Sequence, residues 1–177
     1  MPRILIILFR TFFDICLFRK GPQDLPAARE LFWLVMLCYG AISVALSFPY
    51  QTFYIAVITG VTEALMLLLI TYTFVYLRSV TGRWRQTSTA LAGTGVIFSL
   101  MAFPLFYLRV YLQSGPALQA FIGMVIICLI LWNIAVMTHI LKNALSSSYF
   151  LGVLASLAYI ALISFTLQVV LPVEAGT

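Results

Sequence analysis

Glu63 is a carboxylic acid set ten residues into a long apolar run, Phe53 to Leu77. On insertion scales an acidic or basic side chain at the centre of a membrane helix costs roughly 2.5 to 3.5 kcal/mol, so such a group is held neutral, paired or turned into an internal polar pocket. Two chemistries fit a carboxyl in that setting: a proton or cation relay, and a polar head-group site. A structural role competes with both, because a neutral Glu63 beside Thr59, Gly60 and Thr62 can hydrogen-bond a neighbouring helix and bind the bundle together. Two further intramembrane polar candidates share the run Ala117 to Leu141. His139, the only histidine, falls at its end, where proton transfer competes with ordinary solvation. Asn133 lies about two turns deeper and suits a hydrogen bond across a bundle.

These residues form no recognised catalytic set, and neither a cofactor nor an enzymatic activity is expected. Cys16, Cys38 and Cys128 are widely spaced and odd in number, which supports neither a disulfide framework nor a metal site. They read as buried small hydrophobes, with Cys16 a speculative acceptor for a lipid. Gly93-Thr94-Gly95 lacks the lysine and the strand that a phosphate loop requires. Gly93, Gly95 and Ser99, like Gly152 and Ser156, instead supply short side chains at spacings that let helices approach closely. Pro104 is expected to kink its helix.

The elements that must position these side chains are set by composition. With 63% hydrophobic and 8% charged residues over 177 positions, the chain has too little polar surface to cover a water-soluble globule. Five apolar runs, Leu31 to Phe48, Phe53 to Leu77, Thr87 to Leu108, Ala117 to Leu141 and Tyr149 to Leu171, are each long enough to cross a bilayer as a helix. They lack the alternation of barrel strands. The predicted fold is an all-α membrane protein, a bundle of five transmembrane helices over 27–177 preceded by an N-terminal interfacial amphipathic helix and turn over 1–26.

Charge orients the bundle. Arg3, Arg10, Arg19, Lys20 and Arg29 precede the first run, Arg78, Arg83 and Arg85 follow the second, and Lys142 follows the fourth. Arg109 alone falls in a gap on the other side. By the positive-inside rule the N-terminus is expected in the cytoplasm and the C-terminus outside, in a bacterial inner membrane. The net charge of +5 is dispersed between apolar stretches and argues against nucleic acid. Arg3, Arg10, Arg78, Arg83 and Arg85 are candidates for contact with lipid, anionic lipid included, or with a partner.

Ile4 to Phe18 is apolar but interrupted by Arg10 and Asp14. At about 22 Å as a helix it is too short to span, and Arg3, Arg10 and Asp14 fall within about 40° of one another opposite Leu5, Phe9, Phe12 and Phe13. A helix lying in the cytoplasmic interface suits that pattern. A cleaved signal peptide does not, because Arg19 and Lys20 stand where small residues belong. Asp24 is a candidate cap for the first span.

Five closely connected spans and the acidic-proline entry Asp24-Leu25-Pro26 resemble the Yip family of Ypt/Rab-interacting membrane proteins and its bacterial relatives. The resemblance runs from Gly21 to Leu171 at the level of topology and implies a membrane scaffold or trafficking role. No long cytoplasmic N-terminal region of the kind that would engage a GTPase is present in this sequence. The expected function is a non-enzymatic scaffold, accessory subunit or lipid-organising factor, partnered by membrane lipids and by other membrane proteins or further copies of itself. The alternative is a small transporter or channel subunit using Glu63.

Overall fold

The computed structural model describes the backbone of residues 2–111 and 115–170, and the side chains of 7–111 and 115–169. Six α-helices account for most of it: α1 Pro2–Cys16, α2 Arg29–Ser47, α3 Phe53–Leu77, α4 Trp84–Tyr111, α5 Pro116–Ala144 and α6 Tyr149–Val170. Short 3₁₀ turns at Pro22–Asp24 and Thr81–Arg83 lead into α2 and α4. The helices α2 to α6 are long and apolar enough to cross a membrane. The protein is therefore an integral membrane protein built on five such helices.

Sequence-based bounds match these helices closely. α3 begins and ends as expected, whereas α4 starts three residues early because Trp84, Arg85 and Gln86 continue the helix beyond the apolar run. Helix α4 also runs through Pro104 without interruption. Asp24 does not cap α2: its carboxylate accepts a hydrogen bond from the Gly21 N–H at 2.7 Å and closes the 3₁₀ turn instead. Ala28 stands at the N-cap of α2.

Three helices end at the basic end of the bundle with the same device. Phe18, Ser79 and Ser146 adopt left-handed φ of 61°, 55° and 47°. The next N–H then bonds back across the last turn, from Arg19 to the Asp14 carbonyl, Val80 to Val75 and Ser147 to Lys142, at 2.9 to 3.0 Å. Each closure satisfies carbonyls that the end of a helix leaves open.

Neighbouring helices form a closed ring: α2 packs on α3 and α4, α4 on α5, α5 on α6, and α6 on α3. α1 packs on α4 and α5 at the periphery. Small residues allow the close approaches. A Cβ on Gly60 would stand 2.9 Å from the Gly40 carbonyl of α2, and one on Gly152 would stand 2.9 Å from the Thr138 carbonyl of α5. The Gly93 surface receives the Phe12 ring of α1, so this glycine serves the peripheral helix and not a neighbouring span.

Burial is concentrated at the basic end. In α4 the buried residues run from Thr87 to Phe98, and in α5 eight of them include the stretch from Val136 to Ala144, while α2 buries Leu31, Phe32, Val35 and Met36 in its first two turns. Trp84 adds an aromatic cluster there, 5.5 Å from Phe32 and 6.0 Å from Tyr72. Toward the opposite end fewer residues are buried, and large apolar side chains such as Leu100, Phe121, Met124 and Phe165 face outward.

The apolar face expected on α1 is divided between two environments. Phe12, Ile15 and Cys16 are buried against the bundle, whereas Phe9 and Phe13 are exposed. The Cys16 carbonyl accepts a hydrogen bond from Trp132 Nε1 at 3.0 Å, which pins the end of α1 to α5. Burial pushes the Cys16 thiol up to about 12. A thiol so enclosed and so weakly acidic does not suit lipid attachment, contrary to the expectation from its interfacial position.

Candidate functional site

Glu63 meets its partners inside the ring. Ser43 of α2 donates a hydrogen bond from its hydroxyl to Glu63 Oε2. Tyr39 precedes Ser43 by one helical turn, so both project from the same face of α2 toward α3. Tyr39 and Tyr159, the latter on α6, are buried beside each other and near Glu63. Tyr159 is only 6% exposed. The Tyr39 ring lies on Gly95 of α4, where a Cβ would stand 2.8 Å from its edge. Four helices thus converge on one polar cluster.

The cluster lies at mid-depth. Tyr39, Gly95 and Tyr159 are ten or eleven residues from the basic ends of their helices, about 15 Å by helical rise. Two features permit the arrangement. Gly60 brings α2 and α3 together one turn from Glu63, with Val44 filling the space a side chain would take. Thr59 directs its hydroxyl to the Ile55 carbonyl at 3.0 Å and to Gln51 Oε1 at 3.2 Å, and not to Glu63.

Asn133 and His139 do not join Glu63. Asn133 lines a cleft of about 340 Å³ between α2, α4, α5 and α6, together with Tyr39, Ser99 and Phe106. Among the described residues its amide has no hydrogen-bond partner, so the expected cross-bundle bond is absent. Tyr39 is shared between this cleft and the Glu63 cluster, which makes the two sites adjacent. His139 is partly buried and structural in its contacts: Nε2 lies 3.1 Å from both the Lys20 carbonyl and the Asn143 amide, with the tautomer deciding which group donates. Phe18 packs edge-on against its ring at 5.4 Å.

The arginines disperse as well. Arg83 reaches α5, donating from Nη1 to the Ala144 carbonyl at 3.3 Å and to Ser146 Oγ at 2.8 Å. Arg83 is exposed, as are Arg10, Arg78 and Arg85. Arg3 stands in the first turn of α1, and its side chain lies outside the described residues. Lys142 sits 3.5 Å from the centroid of the Tyr149 ring, and Lys20 pairs with Asp14 at 3.2 Å.

Sequence reasoning singled out Glu63 but missed Ser43, Tyr39 and Tyr159. The four-residue spacing of Tyr39 and Ser43 was a signal that one face of α2 carried two hydroxyls, but nothing in the sequence named α3 and α6 as the helices opposite. Searches against protein-family models, curated proteins and solved structures find no match to this chain.

Proposed function

We propose that this protein is a non-enzymatic membrane protein that organises surrounding lipid or holds a membrane partner through its lateral faces. The observation that carries this reading is the direction in which its polar groups point. Ser43 bonds Glu63 across the interior, with Tyr39 and Tyr159 gathered beside them, while the outer surface offers apolar side chains and a cleft open between helices. A polar contact of this kind between facing helices ties them into a unit suited to packing against lipid or another protein. The short-looped five-span topology, similar to that of the Yip family, is in keeping with such a role. In this reading α1 is an interfacial helix, docked through Phe12 and Ile15, with Phe9 and Phe13 turned to the acyl boundary. The basic end faces the cytoplasm of a bacterial inner membrane.

The test combines two measurements. Capture of the tagged protein in mild detergent is expected to retain a membrane partner, or a deletion strain is expected to show altered lipid composition or order. No change in either sinks the proposal.

A second reading is favoured by the hydroxyls around Glu63. A carboxyl within reach of Ser43, Tyr39 and Tyr159 has the makings of a proton relay, with the Tyr39 hydroxyl leading toward the Asn133 cleft. It predicts that Glu63→Gln abolishes proton-linked or cation-linked flux in proteoliposomes while leaving insertion intact. Unaltered flux rejects it.

A further inference from the structure

At the basic end a recess of about 290 Å³ opens between the Pro22–Asp24 turn, the start of α4 and the end of α5, with Gln23 and Arg83 exposed at it. Gln23, Arg83, Gln86, Thr87 and Asn143 supply its polar wall. Arg83 is the charged member of that wall, and no carboxylate lines the recess among the described residues. The basic character of the recess is therefore uncompensated from within.

Arg83 is held in place without being consumed. Both of its protein hydrogen bonds leave from Nη1, to the Ala144 carbonyl and to Ser146 Oγ. A guanidinium carries five N–H donors in a planar fork, so Nε and Nη2 keep three that no acceptor among the described residues takes. The amides beside it are fixed in the same way. Gln86 Nε2 donates to the Leu25 carbonyl at 2.9 Å, and Asn143 is tied to His139 at 3.1 Å. Each leaves a further amide hydrogen.

Of the acidic side chains at this end, Asp24 accepts from the Gly21 N–H and Asp14 pairs with Lys20, while Glu30 stands exposed in the first turn of α2, outside the lining of the recess. Helix α4 begins at Trp84, beside Arg83, and adds the positive end of its dipole.

We propose that this recess binds a phosphate group, presented by the headgroup of an anionic lipid. A planar fork matches two phosphate oxygens at once, and oriented amides can take the others. The level of the recess suits a lipid source. Thr87, in its wall, is where the apolar run of α4 begins, so the recess lies at the depth of the headgroup layer. The inference deepens the lipid-organising reading and rests on it only for the source of the phosphate.

Purified protein in nanodiscs of phosphatidylcholine with a minor share of phosphatidylglycerol provides the test, with native mass spectrometry reading the lipid retained. Wild type is expected to retain phosphatidylglycerol preferentially, and Arg83→Gln to lower that preference about tenfold or more. Arg29→Gln removes an exposed charge from the same end and is expected to behave as wild type. Gln23→Glu places a carboxylate at the recess while leaving the Arg83 bonds to α5 intact, and it is expected to lower retention even if Arg83→Gln fails to fold. In discs of phosphatidylcholine alone, inorganic phosphate that raises the Tm of wild type but not of Gln23→Glu would confirm the phosphate site. Without preferential lipid retention, that result assigns it to a soluble phosphate. Equal lipid retention and equal phosphate response in wild type, Arg83→Gln and Gln23→Glu overturn the site. Retention by purified protein with an unaltered deletion strain would remove the organising role and leave the site standing.

Discussion

Ser43 decides how Glu63 is tolerated in an apolar helix. A carboxyl that accepts a hydrogen bond from the hydroxyl of a facing helix has one of its polar atoms satisfied. Ser43→Ala is expected to destabilise the bundle by about 0.6 to 1.7 kcal/mol, the range of interhelical hydrogen bonds in membranes, measured by refolding from denaturing detergent. Glu63→Gln keeps an acceptor for Ser43 and is expected to cost less than Glu63→Leu, which leaves Ser43 facing a hydrocarbon group. The opposite order would show that the carboxyl does not hold α2 to α3. Cys16 offers a separate check on packing. With Cys38→Ser and Cys128→Ser in place, Cys16 is expected to resist a water-soluble maleimide in the folded protein from pH 7 to pH 9 and to react after denaturation. Its thiol is buried and pushed up to about 12, so at pH 8 only roughly one part in ten thousand is thiolate. Rapid native labelling would mean that α1 is not docked on the bundle.

Helix ends and helix contacts carry the next level of stability. α1, α3 and α5 all close with a residue in the left-handed region, and in each case that residue has a side chain: Phe18, Ser79 and Ser146. Glycine adopts such φ without the Cβ penalty, so Ser146→Gly is expected to stabilise by up to about 1 kcal/mol, less the entropy glycine adds to the unfolded chain. A fall in thermal stability would show that its hydrogen bond from Arg83 outweighs backbone strain. Between helices, Gly60→Val is expected to force α2 from α3, since a Cβ there meets both Val44 and the Gly40 carbonyl, which is backbone and has nowhere to yield. Overpacking of this kind costs about 1 to 3 kcal/mol, and it should appear as a lowered Tm in detergent. The α2–α3 contact was only partly legible beforehand. Gly60 was visible as a small residue beside Glu63, but the match to Gly40 depends on which helix lies opposite.

As a whole, the molecule is tight at its basic end and open at the other. Loops and closures at the basic end bring Trp84, Phe32 and the Thr87–Phe98 stretch of α4 into one core, while the far halves of α4 and α5 turn large apolar side chains outward. That asymmetry is what creates the cleft holding Asn133. The proposed threading, with all five helices crossing, puts residues 1 and 177 in opposite compartments. Alkaline phosphatase fused after residue 177 is expected to be active and the same reporter fused ahead of residue 1 inactive, with a cytoplasm-active reporter giving the reverse. Activity of one reporter at both tips would refute an odd number of crossings.

Hydrophobic run length and the placement of lysine and arginine determined the number of helices, their approximate bounds and their expected direction of threading, because those quantities depend on position along the chain alone. Which faces meet depends on rotation and depth between helices separated in sequence. That is why Glu63 could be marked as costly but its pairing with Ser43, the meeting of Tyr39 with Tyr159 and the docking of Phe12 on Gly93 emerged only from the tertiary arrangement. Arg83 follows the same rule: the sequence showed a cation between two runs, and packing of α4 against α5 decided that its Nη1 bonds the Ala144 carbonyl and Ser146 beside a recess.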